Sequence, residues 1–167
     1  KALKEGERKV GISEILLSPD DAEGKRLVRN RETNIGNFCA DAFRKVLKTD
    51  VAMINGGGIR ADLSKGDVTY NHLVSVFPFN NTACTATLTG QQLWDALEFS
   101  VSSLPGEDRS FMQVSGVKFE VDTSIPSPIM VDDFGVFQHV GQGARRVGNL
   151  KVWDKERQDY FPVDLKK

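Results

Sequence analysis

With 167 residues, 40% of them apolar and 27% charged, the chain suits one domain of ordinary size with a core of its own. A net charge of −1 provides no global basic field, which argues against a nucleic-acid partner. No apolar run approaches the ~20 residues that span a bilayer, and no charged-then-apolar signal segment opens the chain. The first residue is Lys1 rather than Met, as expected of a mature or excised piece. Cys39 and Cys84 are expected as buried free thiols acting as small hydrophobes, with one disulfide between them the alternative that the sequence leaves open. His72 and His139 lie too far apart in sequence to suggest a zinc site.

Residues 1–28 mix charges with the run Val10 to Leu17 and read as an N-terminal arm or linker strand. From Asn34 to Lys48, Ile35, Phe38, Ala42, Phe43, Val46 and Leu47 recur at helical spacing. Thr33 or Asn34 suits its N-cap, Lys45 and Lys48 its negative end, and Gly36 leaves room in the first turn for another group. Val51 to Ile54 reads as a buried strand and Val68 to Tyr70 as a short extended piece. Asn71 to Val76 reads as a short helix stopped by Pro78. Thr82 to Leu88 alternates like a half-exposed strand. Thr89-Gly90-Gln91-Gln92 is a capping box that opens a helix running to about Ser102, with Leu93, Leu97 and Val101 as its buried stripe. Val117, Phe119 and Val121, then Leu150 to Trp153, then Tyr160 to Val163 supply further strands. Residues 123–148, with Pro126, Pro128 and four glycines, read as a long loop with little regular structure. Intermingled helices and strands predict a single α+β domain, a mixed β-sheet packed by helices.

The most informative segment is Val51 to Arg60, where an apolar run ends in Asn55, Gly56, Gly57, Gly58, Ile59 and Arg60. Three consecutive glycines cost backbone entropy, allow positive φ and let a ligand lie against the main chain. Successive N–H groups in such a turn can form an anion-binding concavity, and Arg60 adds a planar, permanently charged fork. The glycine spacing matches neither the dinucleotide fingerprint nor a P-loop. A second basic cluster, Arg29-Asn30-Arg31-Glu32-Thr33-Asn34, precedes a helix N-terminus, a natural anion site. Arg31 and Glu32 read as surface charges, whereas Arg29 is the candidate ligand contact. A helix and strand between them bring Arg29 and Arg60 to one end of a sheet. In Phe77-Pro78-Phe79, proline sets the local direction so that one ring can face the core and the other can face out, although on the sequence alone both rings read as buried. An exposed ring there would stack a flat heteroaromatic base, worth roughly 1–3 kcal/mol.

Several ordered motifs together resemble one family. They are Arg29 with Asn34-Ile35-Gly36-Asn37, Asn55 to Arg60, Gly66-Asp67-Val68-Thr69-Tyr70, Phe77-Pro78-Phe79, Leu88-Thr89-Gly90 and Phe111 to Val117. They look like the C-terminal domain of secreted 5′-nucleotidases, a family that takes in UDP-sugar hydrolases, 2′,3′-cyclic nucleotide phosphodiesterases and ecto-5′-nucleotidases. The resemblance is good over about residues 25–122 and weaker beyond.

The resemblance implies a nucleotide-binding domain over residues 29–167. Arg29 and Arg60 would hold phosphate, Asn55 would bond the base and Phe79 would stack it. Gly57 and Gly58 would admit the ligand, and Lys25 would stand where some members carry a further phosphate-binding arginine. It also implies that the domain is incomplete at its C-terminal end, where the family carries a second stacking Phe and a ribose-binding Asp, so a core strand is expected to be absent. No cofactor is expected in this chain. The parent's N-terminal metallophosphatase domain would be its partner and would hold two divalent metal ions. The isolated chain is then expected to be inactive, and the parent to be extracellular, periplasmic or at the cell surface. The alternative is a non-catalytic binding or adhesion module that keeps the fold and uses 123–148 as its contact surface. A self-contained enzyme would need a nucleophile with an ordering partner, and no Ser–His or Cys–His arrangement argues for one.

Overall fold

The computed structural model describes residues 5–166, so residues 1–4 of the expected arm and Lys167 lie outside the described residues. Helix α1 (Asn34–Leu47) begins where Thr33, in extended conformation, accepts a hydrogen bond from the Gly36 N–H at 3.1 Å. It ends at Lys48, whose left-handed backbone stops the helical ladder. The buried face is Ile35, Gly36, Cys39 and Ala40. Phe38 and Val46, expected on the apolar stripe, are 48% and 76% exposed. Small residues at 36 and 40 let the helix lie close against the sheet, and this close contact rather than the bulkier stripe sets the buried face.

Strand β1 (Lys9–Ser13) runs antiparallel to β3 (Gly66–Thr69), and Leu17 bridges to Leu63. The stretch expected as an arm is therefore tied into the body of the domain. Leu17, Val28, Ile35, Cys39, Ile59, Leu63, Val68 and Val76 form one core cluster. Strand β2 (Ala52–Asn55) pairs with β4 (Met112–Ser115), Ala52 opposite Ser115 and Asn55 opposite Met112. Helix α1 packs on this pair. Helix α2 (Tyr70–Val76) is opened by a reciprocal Thr69–His72 capping box.

Helix α3 (Gly90–Ser100) carries the capping box read from Thr89 and Gln92. Its Leu93 and Leu97 join Val101, Phe111, Val117 and Val147 in a second core cluster. Here β5 (Val117–Val121), β8 (Val147–Asp154) and β9 (Asp159–Pro162) make a three-stranded antiparallel sheet. Residues 123–148 are not a structureless loop, since β6 (Ile129–Val131) and β7 (Phe137–Val140) pair as a hairpin. Its turn is made by Asp132, whose carboxylate accepts the N–H groups of Phe134 and Val136, and by Gly135 at φ 78°. The domain is α+β as expected. Among the described residues, the mixed sheet is replaced by four small antiparallel sheets.

Two further expectations change. Thr82 to Leu88 is exposed, forms no regular element and joins no ladder among the described residues. Cys84, which lies in it, is an exposed free thiol rather than a buried one. Cys39 is buried, and burial pushes its thiol up to about 12.

Polar ties fasten α3 to β8. Glu98 is fully buried, and its two carboxylate oxygens accept the N–H groups of Arg146 (2.8 Å) and Val147 (3.0 Å). The Trp94 indole donates to the Val147 carbonyl at 2.8 Å. The Arg146 guanidinium donates to the carbonyls of Val101, Ser102 and Leu104, satisfying backbone groups that the end of α3 leaves over. In Glu98→Gln one acceptor becomes a donor facing a buried N–H. A loss of about 1–3 kcal/mol is expected in the urea-unfolding free energy. An unchanged midpoint would mean that the carboxylate is not what joins the two elements.

Candidate functional site

The loop carrying Arg29 is held from behind by one buried amide. Gln113, 1% exposed on β4, donates through Nε2 to the carbonyls of Val28 (3.0 Å) and Arg31 (2.7 Å). Its Oε1 accepts the Thr33 N–H at 3.1 Å and lies 3.3 Å from the Thr33 hydroxyl. A Cβ on Gly36 would overlap this amide, so the group for which Gly36 leaves room is Gln113. Register decides the matter, because in β4 the polar Gln113 and Ser115 point inward while Met112 and Val114 are only half-buried. A reading that places apolar residues inside misses Gln113, and the inverted polarity of Met112-Gln113-Val114-Ser115 was its signal.

The glycine turn is built differently from its expectation. Gly56–Gly58 form a single 3₁₀ turn with no positive φ. The Gly56 and Gly57 N–H groups donate to the carbonyls of Phe111 (2.7 Å) and Arg109 (3.1 Å), so they do not line an anion concavity. A Cβ on Gly56 would overlap the Val28 carbonyl, and one on Gly57 would come within 2.8 Å of the Arg109 carbonyl oxygen. Glycine is required at these two positions because protein backbone, rather than a ligand, packs there. Gly58 is also buried, and the atom nearest a Cβ there would be Asn55 Oδ1 at 3.1 Å.

The turn aims Arg60. Its N–H donates to the Val76 carbonyl at 2.9 Å, and its exposed guanidinium donates to the Gly57 carbonyl at 3.2 Å. The guanidinium carbon stands 5.8 Å from the ring centroid of Phe79, which is 53% exposed. Phe77 turns inward, half-buried against the first core and edge-on to Phe43 at 5.8 Å. Asn55, Gly58 and Phe79 line one cavity of about 1430 Å³. The Asn55 amide donates to the Arg109 carbonyl at 3.3 Å, which leaves its oxygen on the Gly58 side.

Arg26 is the cation missed in the sequence. Its guanidinium donates to the Ile59 carbonyl and pairs with Asp20 at 3.6 Å. Burial pulls it below an arginine's ordinary value, and the charges of Arg29 and Arg60 pull the same way against Asp20 and Glu107. Arg29 and Arg60 thus both lie within electrostatic reach of Arg26. Arg29 Nε is buried without a hydrogen-bond partner. Lys25 is exposed, and its backbone is engaged with Asp21. The sequence offers two adjacent cations, and the Asp20–Arg26 bridge decides which one turns inward.

Asp108 braces the neighbouring loop. Its N–H donates to the Arg29 carbonyl at 3.0 Å. Its carboxylate accepts the Ser103 hydroxyl (2.7 Å) and the Ser110 N–H and hydroxyl (2.7 and 2.6 Å). Burial pushes this carboxyl up, but the Ser110 and Ser103 bonds and the Arg109 charge outweigh it, and the net direction is down. Among the described residues, no three His, Cys, Asp or Glu side chains gather as a metal cage, and no helix is long and apolar enough to cross a membrane.

The family model of the 5′-nucleotidase C-terminal domain matches residues 13–167. The trifunctional nucleotide phosphoesterase protein YfkN of Bacillus subtilis is 40% identical over 116 residues, covering 66% of this chain and 8% of its own length. A 5′-nucleotidase of Vibrio parahaemolyticus is 33% identical over 101 residues, covering 60% of this chain and 18% of its own. The solved 5′-nucleotidase precursor of Thermus thermophilus superposes with a TM-score of 0.78 at 30% identity, covering 99% of this chain and 29% of that one. The chain therefore spans less than a third of the length of each of these relatives.

Two variants test the braces. Gln113→Ala removes four hydrogen-bond contacts and leaves buried groups unpaired, so a loss of about 1–3 kcal/mol or more is expected in chemical unfolding. If the loss stays within ~0.5 kcal/mol, as for an ordinary surface site, the brace is not needed. Asp108→Asn is expected to lower Tm at neutral pH. Because the folded carboxyl lies below the ordinary 3.8, its contribution is complete above that value and is lost as pH falls through the lowered folded value. The Tm gap between wild type and variant should accordingly close under acid conditions. A gap that is the same at about pH 7 and about pH 2.5 would contradict the assignment.

Proposed function

Because the chain belongs to the 5′-nucleotidase C-terminal domain family, we propose that it is the substrate-recognition part of a larger metal-dependent hydrolase of nucleoside phosphates. Arg29 and Arg60 take the phosphate, with Arg26 behind them reinforcing the positive field. Phe79 offers a face to the base, and Asn55 offers its amide to the base edge. Gly58 keeps the cavity wall low beside Asn55, while Gly57 sets the turn that aims Arg60. Hydrolysis belongs to a metallophosphatase domain elsewhere in the parent, which would hold two divalent ions, and the chain alone is inactive. The parent acts outside the cytoplasm, where its substrates would be extracellular or periplasmic nucleotides.

The observation that carries this reading is the exposed Phe79 ring, which lines the same cavity as Asn55 and has the Arg60 guanidinium 5.8 Å from its centroid. An aromatic face and a cation side by side match the two ends of a nucleoside monophosphate. Two to three charge-assisted bonds to phosphate and one stacked base are then the main source of affinity.

Calorimetry with AMP, adenosine and inorganic phosphate separates these roles. Arg60→Ala should weaken AMP by roughly 10–100-fold, the loss of a charged hydrogen bond of about 1.5–3 kcal/mol, and should leave adenosine nearly unchanged. Phe79→Ala should weaken AMP and adenosine alike and spare inorganic phosphate. If neither variant moves AMP affinity in a polypeptide that binds AMP, the nucleotide sits elsewhere.

A further inference from the structure

At the end of α1 remote from Arg29, four cations surround one pocket of about 540 Å³. Arg44 and Lys45 come from the last turn of α1, Lys48 from its C-cap and Lys155 from the turn between β8 and β9. The Arg44 guanidinium is fixed from one side. Its Nε donates to the Asp50 carbonyl at 2.9 Å and packs against Gly116, where a Cβ would come within 2.6 Å of that nitrogen. Among the described residues, its two Nη groups make no hydrogen bond or ion pair, so the end of the fork is held in place and left free. Lys155 pairs with Asp50 at 2.9 Å, and among the described residues Lys45 and Lys48 form no ion pair. Asp41, the one carboxylate in the pocket wall, accepts the Ser115 hydroxyl. Thr49 Oγ1 is buried in the same wall with no hydrogen-bond partner. The negative end of a helix accounts for Lys45 and Lys48. It does not account for Lys155, brought in from 105 residues beyond Asp50, or for an arginine tied down through Nε with both Nη groups unused.

We infer that this pocket is an accessory anion site that takes a phosphate group, either the free ion or a monoester. The two Nη groups of Arg44 offer a planar pair of donors, the geometry that fits two oxygens of a tetrahedral anion. Lys45, Lys48 and Lys155 bring charge on flexible stems, and rotation about χ1 turns the Thr49 hydroxyl to the same anion as a further donor. Four cations against the carboxylates of Asp41 and Asp50 leave the pocket positive, although the chain as a whole carries −1. The bond to Ser115 keeps Asp41 from competing for the Arg44 fork. The Arg44 carbonyl is not bare toward the anion either, since it accepts the N–H groups of Lys48 and Thr49. The charge is confined to one pocket rather than drawn out along a track, which suits a small anion and not an acidic polypeptide. The site is independent of the nucleotide reading, because Thr33, beside the Arg29 loop, and Arg44 stand about 16 Å apart along the axis of α1.

Inorganic phosphate titrated into the isotope-labelled chain at constant ionic strength, followed by amide NMR, reads this pocket apart from Arg29 and Arg60. The amide signals of Lys48, Thr49 and Gly116 should move together with phosphate and stay still with chloride. Glycerol phosphate, a monoester without a base, separates the two sources. If it moves the same signals as readily, the ligand is an ester-borne phosphate, and if it leaves them in place, the ligand is the free ion. Arg44→Lys keeps the charge and loses the fork, so it should weaken phosphate at these signals by about 10-fold or more. Lys48→Gln, at an exposed position where no packing is lost, should weaken it by about 3-fold. Arg60→Ala should leave the response of the three amides unchanged, so a failure of the nucleotide assignment would not be mistaken for a failure here. If phosphate moves these signals no more than chloride does, or if Arg44→Lys and Lys48→Gln both respond as the wild type does, the inference is overturned.

Discussion

Everything at the candidate site hangs from the side-chain amide of Gln113. One buried group holds the carbonyls of Val28 and Arg31 and the N–H of Thr33, three points on the loop whose Arg29 carbonyl is held in turn by the Asp108 N–H. The same loop carries Arg29, and Thr33 is the N-cap of α1. Helix start, loop path and arginine position are therefore one constraint. An unpaired polar group in such a place would cost about 1–3 kcal/mol, which is why every atom of this amide is engaged. Gly36 and Gly56 belong to the same device. Side chains there would collide with the amide and with the Val28 carbonyl, so both glycines serve close packing of protein against protein.

The fold was legible wherever local chemistry fixes an element end. Thr33, Thr89 and the Pro78 stop gave three helices to within a few residues, because caps act over one turn and need no tertiary partner. The segment Thr82 to Leu88 shows the opposite. Its alternation is strand-like, but a strand exists only through a partner, and periodicity does not supply one. The hairpin in 123–148 was hidden because its two strands are short and irregular in register, while its turn, built on Asp132 and Gly135, was the readable part.

The site was legible in its residue types and less so in their reasons. Arg29 and Arg60 are legible as cations beside special turns and Phe79 only through the family resemblance, and the structure puts Arg29 and Arg60 within electrostatic reach of Arg26 and sets Phe79 beside Arg60. Their supports, Gln113, Asp108 and the Arg109 carbonyl, come from a segment some eighty residues further on than Arg29. No local pattern links positions so far apart. The resemblance points to Lys25, and nothing local in the sequence marks its neighbour Arg26, whose inward placement depends on its backbone bridge to Asp20.

The like charges of Arg29 and Arg60, both felt at Arg26, give the supports around Arg29 their purpose. Like charges within reach of one another raise the energy of the folded state, and among the described residues the one ion pair any of the three makes is that of Arg26 with Asp20, at 3.6 Å. A loose loop would relieve the repulsion by swinging Arg29 outward. Gln113 and Asp108 hold its backbone on both sides, through Val28 and Arg31 on one and the Arg29 carbonyl on the other, so that route is closed. Arg60 has the gentler solution of resting beside the face of Phe79, where the ring's negative face offsets part of its charge. On the proposed reading, an arriving phosphate removes the repulsion that the scaffold otherwise sustains, so affinity comes from a site organised before the ligand enters rather than from closure around it.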